Sequence, residues 1–125
     1  MKKLNNCKIV DGSLTIANIK DQTIRNLSFP SLIEVTGYLE ILNNDYLLSA
    51  GIFPNLSIIR GKILKESTAL EISGNENIVE IGLKSLKVVY SGNVRIRNNK
   101  NLCFADTVDW SVIAVNSTGN EIEVG

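Results

Sequence analysis

An all-β solenoid with a minor helical part is the fold this sequence predicts, from three observations. A short strand motif recurs along the chain. Glycines precede its copies at near-regular spacing, and an asparagine follows the strand by three residues. The clearest copy is Gly37-Tyr38-Leu39-Glu40-Ile41, followed by Asn44 and Leu47. The motif returns as Leu70-Glu71-Ile72 with Asn75 and Ile78, and as Gly92-Asn93-Val94-Arg95-Ile96 with Asn99 and Leu102. A degenerate first copy is Gly12-Ser13-Leu14-Thr15-Ile16. Copies of this kind read as coils of one leucine-rich-repeat-like stack, each burying its apolar side against its neighbours.

The elements follow in order. Gly12, Gly37, Gly61 and Gly92 precede strands at spacings of 25, 24 and 31 residues. Upstream of three of them stands a second short strand motif: Leu32-Ile33-Glu34-Val35, Leu56-Ser57-Ile58-Ile59 and Leu86-Lys87-Val88-Val89. Alternation with a period of two turns Leu39, Ile41, Val94 and Ile96 inward and leaves Glu40 and Arg95 outside. The last spacing exceeds the one before by 31 − 24 = 7 residues, which places a bulging insertion at 62–68. Pro30 and Pro54 open equivalent coils at corners where a fixed φ and a missing N–H do no harm. Asn44, Asn75 and Asn99 read as turn caps stacked coil on coil.

From Asp106 to Ile113 the beat breaks. The spacing of Val108, Val112 and Ile113 suggests a short helix that lays Trp110 over the open end of the stack. Residues 114–125 read as a polar C-terminal tail outside a domain spanning 4–113, with Asn116 to Gly125 loosely held.

Composition bounds the function. The chain of 125 residues makes one domain, and 13 basic residues balance 13 acidic ones, which argues against nucleic acid or anionic membrane as a partner. No apolar run is long enough for a membrane span, and the N-terminal residues Met1 to Asn6 carry no signal-peptide core. Three N-glycosylation sequons, at Asn26, Asn55 and Asn116, point to an extracellular setting.

Cys7 and Cys103 stand near opposite ends. Coils rise about 4.8 Å each, so residues three or more coils apart exceed the roughly 7 Å Cα reach of a disulfide. They therefore do not pair with each other. Each is a buried thiol or has a partner outside this segment.

Chemistry is sparse. Glu40 and Glu71 fall on one face a coil apart, but glycoside hydrolysis needs convergent carboxylates, and these alternate with Lys and Arg on strands. Arg95 and Arg97 face outward on the last coil near Glu71 and read either as ion-paired or as anion-binding, two readings the residues do not separate. Asp106 and Asp109 lack a third acid or a histidine for a metal, and suit the first turn of a helix better. With no histidine, nucleophile elbow or phosphate loop, the chain reads as non-catalytic and without a cofactor.

These residues together resemble a known family. Asn6-Cys7-Lys8-Ile9-Val10-Asp11-Gly12, Leu27-Ser28-Phe29-Pro30-Ser31-Leu32-Ile33 and Phe53-Pro54-Asn55-Leu56-Ser57-Ile58-Ile59-Arg60-Gly61 match the receptor L domain of the insulin and epidermal growth factor receptors. So do Ala69-Leu70-Glu71-Ile72, Gly92-Asn93-Val94-Arg95-Ile96, Asn99, Leu102-Cys103 and Val108-Asp109-Trp110-Ser111. The first L domain of the insulin receptor type is the nearest resemblance.

The resemblance implies a right-handed single-stranded β-helix capped by helices. It also implies disulfides from Cys7 to an upstream cysteine and from Cys103 to one just downstream, and neither partner is in this sequence.

Functionally the resemblance implies an extracellular ligand-recognition module. It would bind a polypeptide hormone, a growth-factor-like ligand or another receptor domain through the outward face of the central sheet. The positions matching that face are Thr15, Ala17, Lys20, Glu40, Leu42, Leu64, Lys65, Ser67 and Ser73, of which only Leu42 and Leu64 are large and apolar, and Arg97 joins them as a further candidate. A secreted decoy, or a structural or adhesion module without hormone binding, is the alternative.

Overall fold

Each coil lays one short strand on one side of the stack and one longer strand on another. The structure is a computed structural model that describes residues 6–103 and 108–124. The short strands are β1 (Ile9–Val10), β3 (Glu34–Val35), β5 (Ile58–Ile59) and β7 (Val88–Val89). The longer ones are β2 (Leu14–Ala17), β4 (Leu39–Leu42), β6 (Thr68–Ser73) and β8 (Asn93–Arg97), joined by β9 (Glu121–Ile122). They form a four-stranded sheet, β1-β3-β5-β7, and a five-stranded sheet, β2-β4-β6-β8-β9. Every strand pair is parallel, so the chain is a β-solenoid of about four turns.

Register stacks like on like. Leu14, Leu39, Leu70 and Val94 align from coil to coil, and so do Ile16, Ile41, Ile72, Ile96 and Ile122. On the short-strand side the row is Val10, Val35, Ile59 and Val89. These two-sided rows meet in the interior, where full burial of one Leu or Ile side chain contributes roughly 1.5–3 kcal/mol. Phe29 and Phe53 extend the pattern at the corners, their rings stacked at 5.3 Å and 17°.

The extra residues fall where the spacing places them. Val35 pairs with Ile59 across 59 − 35 = 24 positions, whereas Leu39 pairs with Leu70 across 70 − 39 = 31. The seven added residues therefore lie between Ile59 and Leu70; residues 62–67 are all exposed, whereas Thr68, expected in the insertion, is buried and opens β6.

A ladder of buried asparagines locks the turns after β4, β6 and β8. The Asn44 side chain accepts from Ile19 N (3.1 Å) and donates to Ile16 O (3.0 Å). Asn75 Oδ1 accepts from Asn44 N at 3.0 Å, and Asn99 Oδ1 accepts from Asn75 N at 3.0 Å. Their amides donate back to Ile41 O and Ile72 O. Among the described residues no buried side-chain nitrogen or oxygen lacks a partner.

The C-terminal segment corrects one expectation. Residues 114–124 are not loosely held: they form a partial fifth coil. Ala114 bridges Val89, Val115 N donates to Val89 O at 3.2 Å, and β9 pairs with β8. Polar side chains supply the attachment. Asn120 Oδ1 accepts from Val94 N (2.9 Å), and Asn93 Oδ1 accepts from Thr118 N (2.7 Å) and Gly119 N (3.0 Å). Polarity here satisfies the open edge of β8 instead of signalling solvent. Just before it, α1 (Trp110–Ile113) buries Trp110 against the core cluster.

Candidate recognition face

The outward side chains of the five-stranded sheet form two rows fixed by register. One is Thr15, Glu40, Glu71, Arg95 and Glu121. The other is Ala17, Leu42, Ser73 and Arg97. The sheet thus brings Thr15, Ala17, Glu40, Leu42, Ser73 and Arg97 onto one surface, with Lys20 at its rim in an ion pair with Asp45 (3.2 Å).

Glu40 departs from expectation. It faces outward but is only 4% exposed. Thr15 Oγ1 donates to its Oε1 at 3.0 Å from one side, and Lys65 Nζ donates to its Oε2 at 2.8 Å from the insertion. The hydrogen bond to Glu40, reinforced by its charge, raises the pKa of Lys65 above the usual lysine value. The alternation assigns the correct side of the sheet, and the insertion then covers what that side exposes.

Arg95 also differs in its partners. Glu71 is its register neighbour, yet the ion pairs run to Glu66 (3.6 Å) and Glu121 (3.5 Å). Glu71 instead accepts from Ser73 Oγ at 3.0 Å, and Arg97 pairs with Glu121 at 3.6 Å. Two contributors, Glu66 and Glu121, were not anticipated. Glu66 lies in the insertion beside residues that were, so its charge was an available signal. Glu121 belongs to a stretch whose sequence shows no strand motif.

The insertion shapes the edge of this face. Leu64 is 39% exposed, and its Cδ2 lies over Gly61 and Gly92, where a Cβ built on Gly92 would come within 2.5 Å of it. Both glycines hold positive φ, +66° and +91°, so both conformation and space call for glycine. Lys65 and Thr68 close the turn through reciprocal backbone hydrogen bonds of 3.0 and 2.8 Å, with Glu66 and Ser67 at φ 49° and 66°.

Elsewhere the side chains are structural. No cluster of three or more His, Cys, Asp or Glu that could hold a metal ion occurs among the described residues. Asp109 precedes α1 and accepts from Ser111 Oγ at 2.6 Å, which lowers its pKa; Asp106 lies outside the described residues. Cys7 and Cys103 are not joined to each other. Asn55 Nδ2 donates to Pro30 O (2.6 Å) and Asn116 Nδ2 to Tyr90 O (2.5 Å), while Asn26 ends a 3-10 turn; all three are exposed.

The chain thus combines a parallel sheet of stacked coils, an asparagine ladder and an insertion at the edge of the outer face. Residues 6–114 match the family model of the Receptor L domain. This chain belongs to the Receptor L domain family. The L domain is 40% identical over 117 residues to the insulin-like growth factor 1 receptor of Xenopus laevis, covering 90% of this chain and 9% of that protein. It is 42% identical over 118 residues to the insulin-like receptor of Drosophila melanogaster, covering 93% and 6%. With the insulin-like peptide receptor of Branchiostoma lanceolatum the identity is 38% over 128 residues, covering 99% and 9%. The L domain thus spans less than a tenth of each of these relatives. A Receptor L domain is a ligand-binding receptor module rather than a catalytic one. No described helix is long and apolar enough to cross a membrane.

Proposed function

We propose that this L domain is the extracellular recognition module of an insulin-receptor-type protein. It binds a polypeptide ligand or another receptor domain through the outward face of the five-stranded sheet and the 62–68 insertion. The observation that carries this reading is the face itself: two side-chain rows in register across the strands, with the insertion along one edge and Leu42 half-buried among polar neighbours. Sequon placement supports it. Asn26, Asn55 and Asn116 all lie off the strands that carry the outer rows, and all three are exposed. In a complete receptor such binding would regulate a tyrosine kinase.

The face also favours a second reading, a structural or adhesion spacer without hormone binding. The charges of the face already neutralise one another through Lys65–Glu40, Arg95–Glu66 and Arg97–Glu121. Buried aromatic anchors, which dominate most protein interfaces, are missing from its rows. The test is a binding screen of the secreted, glycosylated L domain against insulin-like and growth-factor-like peptides, repeated with Leu42→Ala and Leu64→Asp. The recognition reading expects micromolar or tighter binding that weakens in both variants. Binding indifferent to both would place the site elsewhere, and no binding across the panel would favour the spacer.

A further inference from the structure

The insertion meets the sheet face at three points, and each is held by a side chain that reaches down from it. Leu64 fills the niche above Gly61 and Gly92. Lys65 Nζ reaches Glu40, the one charged group among the buried described residues. Glu66 reaches Arg95 from an almost fully exposed position. The backbone between these anchors is short, exposed and passes twice through the left-handed region. Two of the three anchors are therefore ionic, on a segment that contributes no side chain to the buried core.

We propose that residues 62–67 form a strap latched by charge along the edge of the recognition face, with Glu40 as the positioning residue that holds it shut through Lys65. Glu40 gains its burial from the strap: released from Lys65, it keeps only the Thr15 hydroxyl and opens to solvent beside Glu71. A carboxylate in this position favours the closed form, because opening exchanges a charge-assisted hydrogen bond for hydration at the edge of a sheet. The latch stands on these contacts alone, independently of which ligand the face binds.

The strap is tested by amide hydrogen exchange on the 125-residue chain, read at Lys65 N and Thr68 N, whose mutual hydrogen bonds exist only while the strap is folded. The variants are Lys65→Met, Glu40→Gln and the exchange Glu40→Lys with Lys65→Glu. Losing a hydrogen bond to a charged group predicts about tenfold faster exchange at both amides in Lys65→Met, with Leu39–Leu42 unchanged. Glu40→Gln, which keeps the Thr15 contact, gives a smaller acceleration, and 1 M salt accelerates it less than the wild type because only the Glu66–Arg95 pair remains to be screened. The charge exchange restores protection. The proposal is overturned by equal exchange in wild type and Lys65→Met, by wild-type rates that ignore salt, or by losses spread equally across β4 and β6.

Discussion

Asn75 shows how much of this fold rests on single side chains. Its amide and carbonyl oxygen serve Ile41 O, Asn44 N and the Asn44 amide at once, all in the dry interior. Asn75→Ala strands these groups without water, so it should cost about 2–4 kcal/mol, read as a lowered urea midpoint with an unchanged slope. A surface substitution such as Lys100→Ala should move the midpoint little. Asp109 gives the residue-scale pH effect. Its pKa is lowered in the folded chain, first by the Ser111 hydroxyl, so its contribution is complete above the unfolded carboxylate range and is lost as pH falls through the folded value. Trp110 fluorescence should therefore report a loosening of α1 in acid that begins below about pH 4 and is reduced in Asp109→Asn.

At the scale of elements, the fifth partial coil is the sharpest case. Val94 N donates to Asn120 Oδ1, and Glu123 N to Ile96 O, so residues 118–124 seal the last edge of the large sheet. Truncation after Val115 should speed amide exchange at Val94 while leaving β2 and β4 protected, a contrast expected of a stack whose coils contact only their neighbours. The same segment shows what a sequence conceals. Leu39, Ile41 and Asn44 announce their coil because apolar alternation and a capping asparagine are local signals, and the insertion follows from counting residues. Residues 116–124 bind through asparagines and backbone, which look in sequence like any polar loop. Glu40 shows the same limit at the recognition face: its side of the sheet is legible from alternation, but its burial depends on Lys65, 25 residues away.

At the scale of the molecule, a neutral solenoid with one broad sheet face suits recognition of a polypeptide more than of a polyanion. Membership of the Receptor L domain family sets the class of module, and the choice of partner is what the proposed face would decide. The proposed face offers Leu42 and Leu64 among Thr15, Ser73 and paired charges, so its ligand should be read by polar contacts as much as by burial. The most direct test is amide chemical-shift mapping of the isotope-labelled chain, titrated with the tightest-binding peptide of the insulin-like panel. The account predicts shifts clustered at Thr15, Ala17, Leu42, Ser73, Arg97 and the 62–67 strap. Shifts confined to the other sheet, at Ile9, Ile58 and Val88, would contradict it.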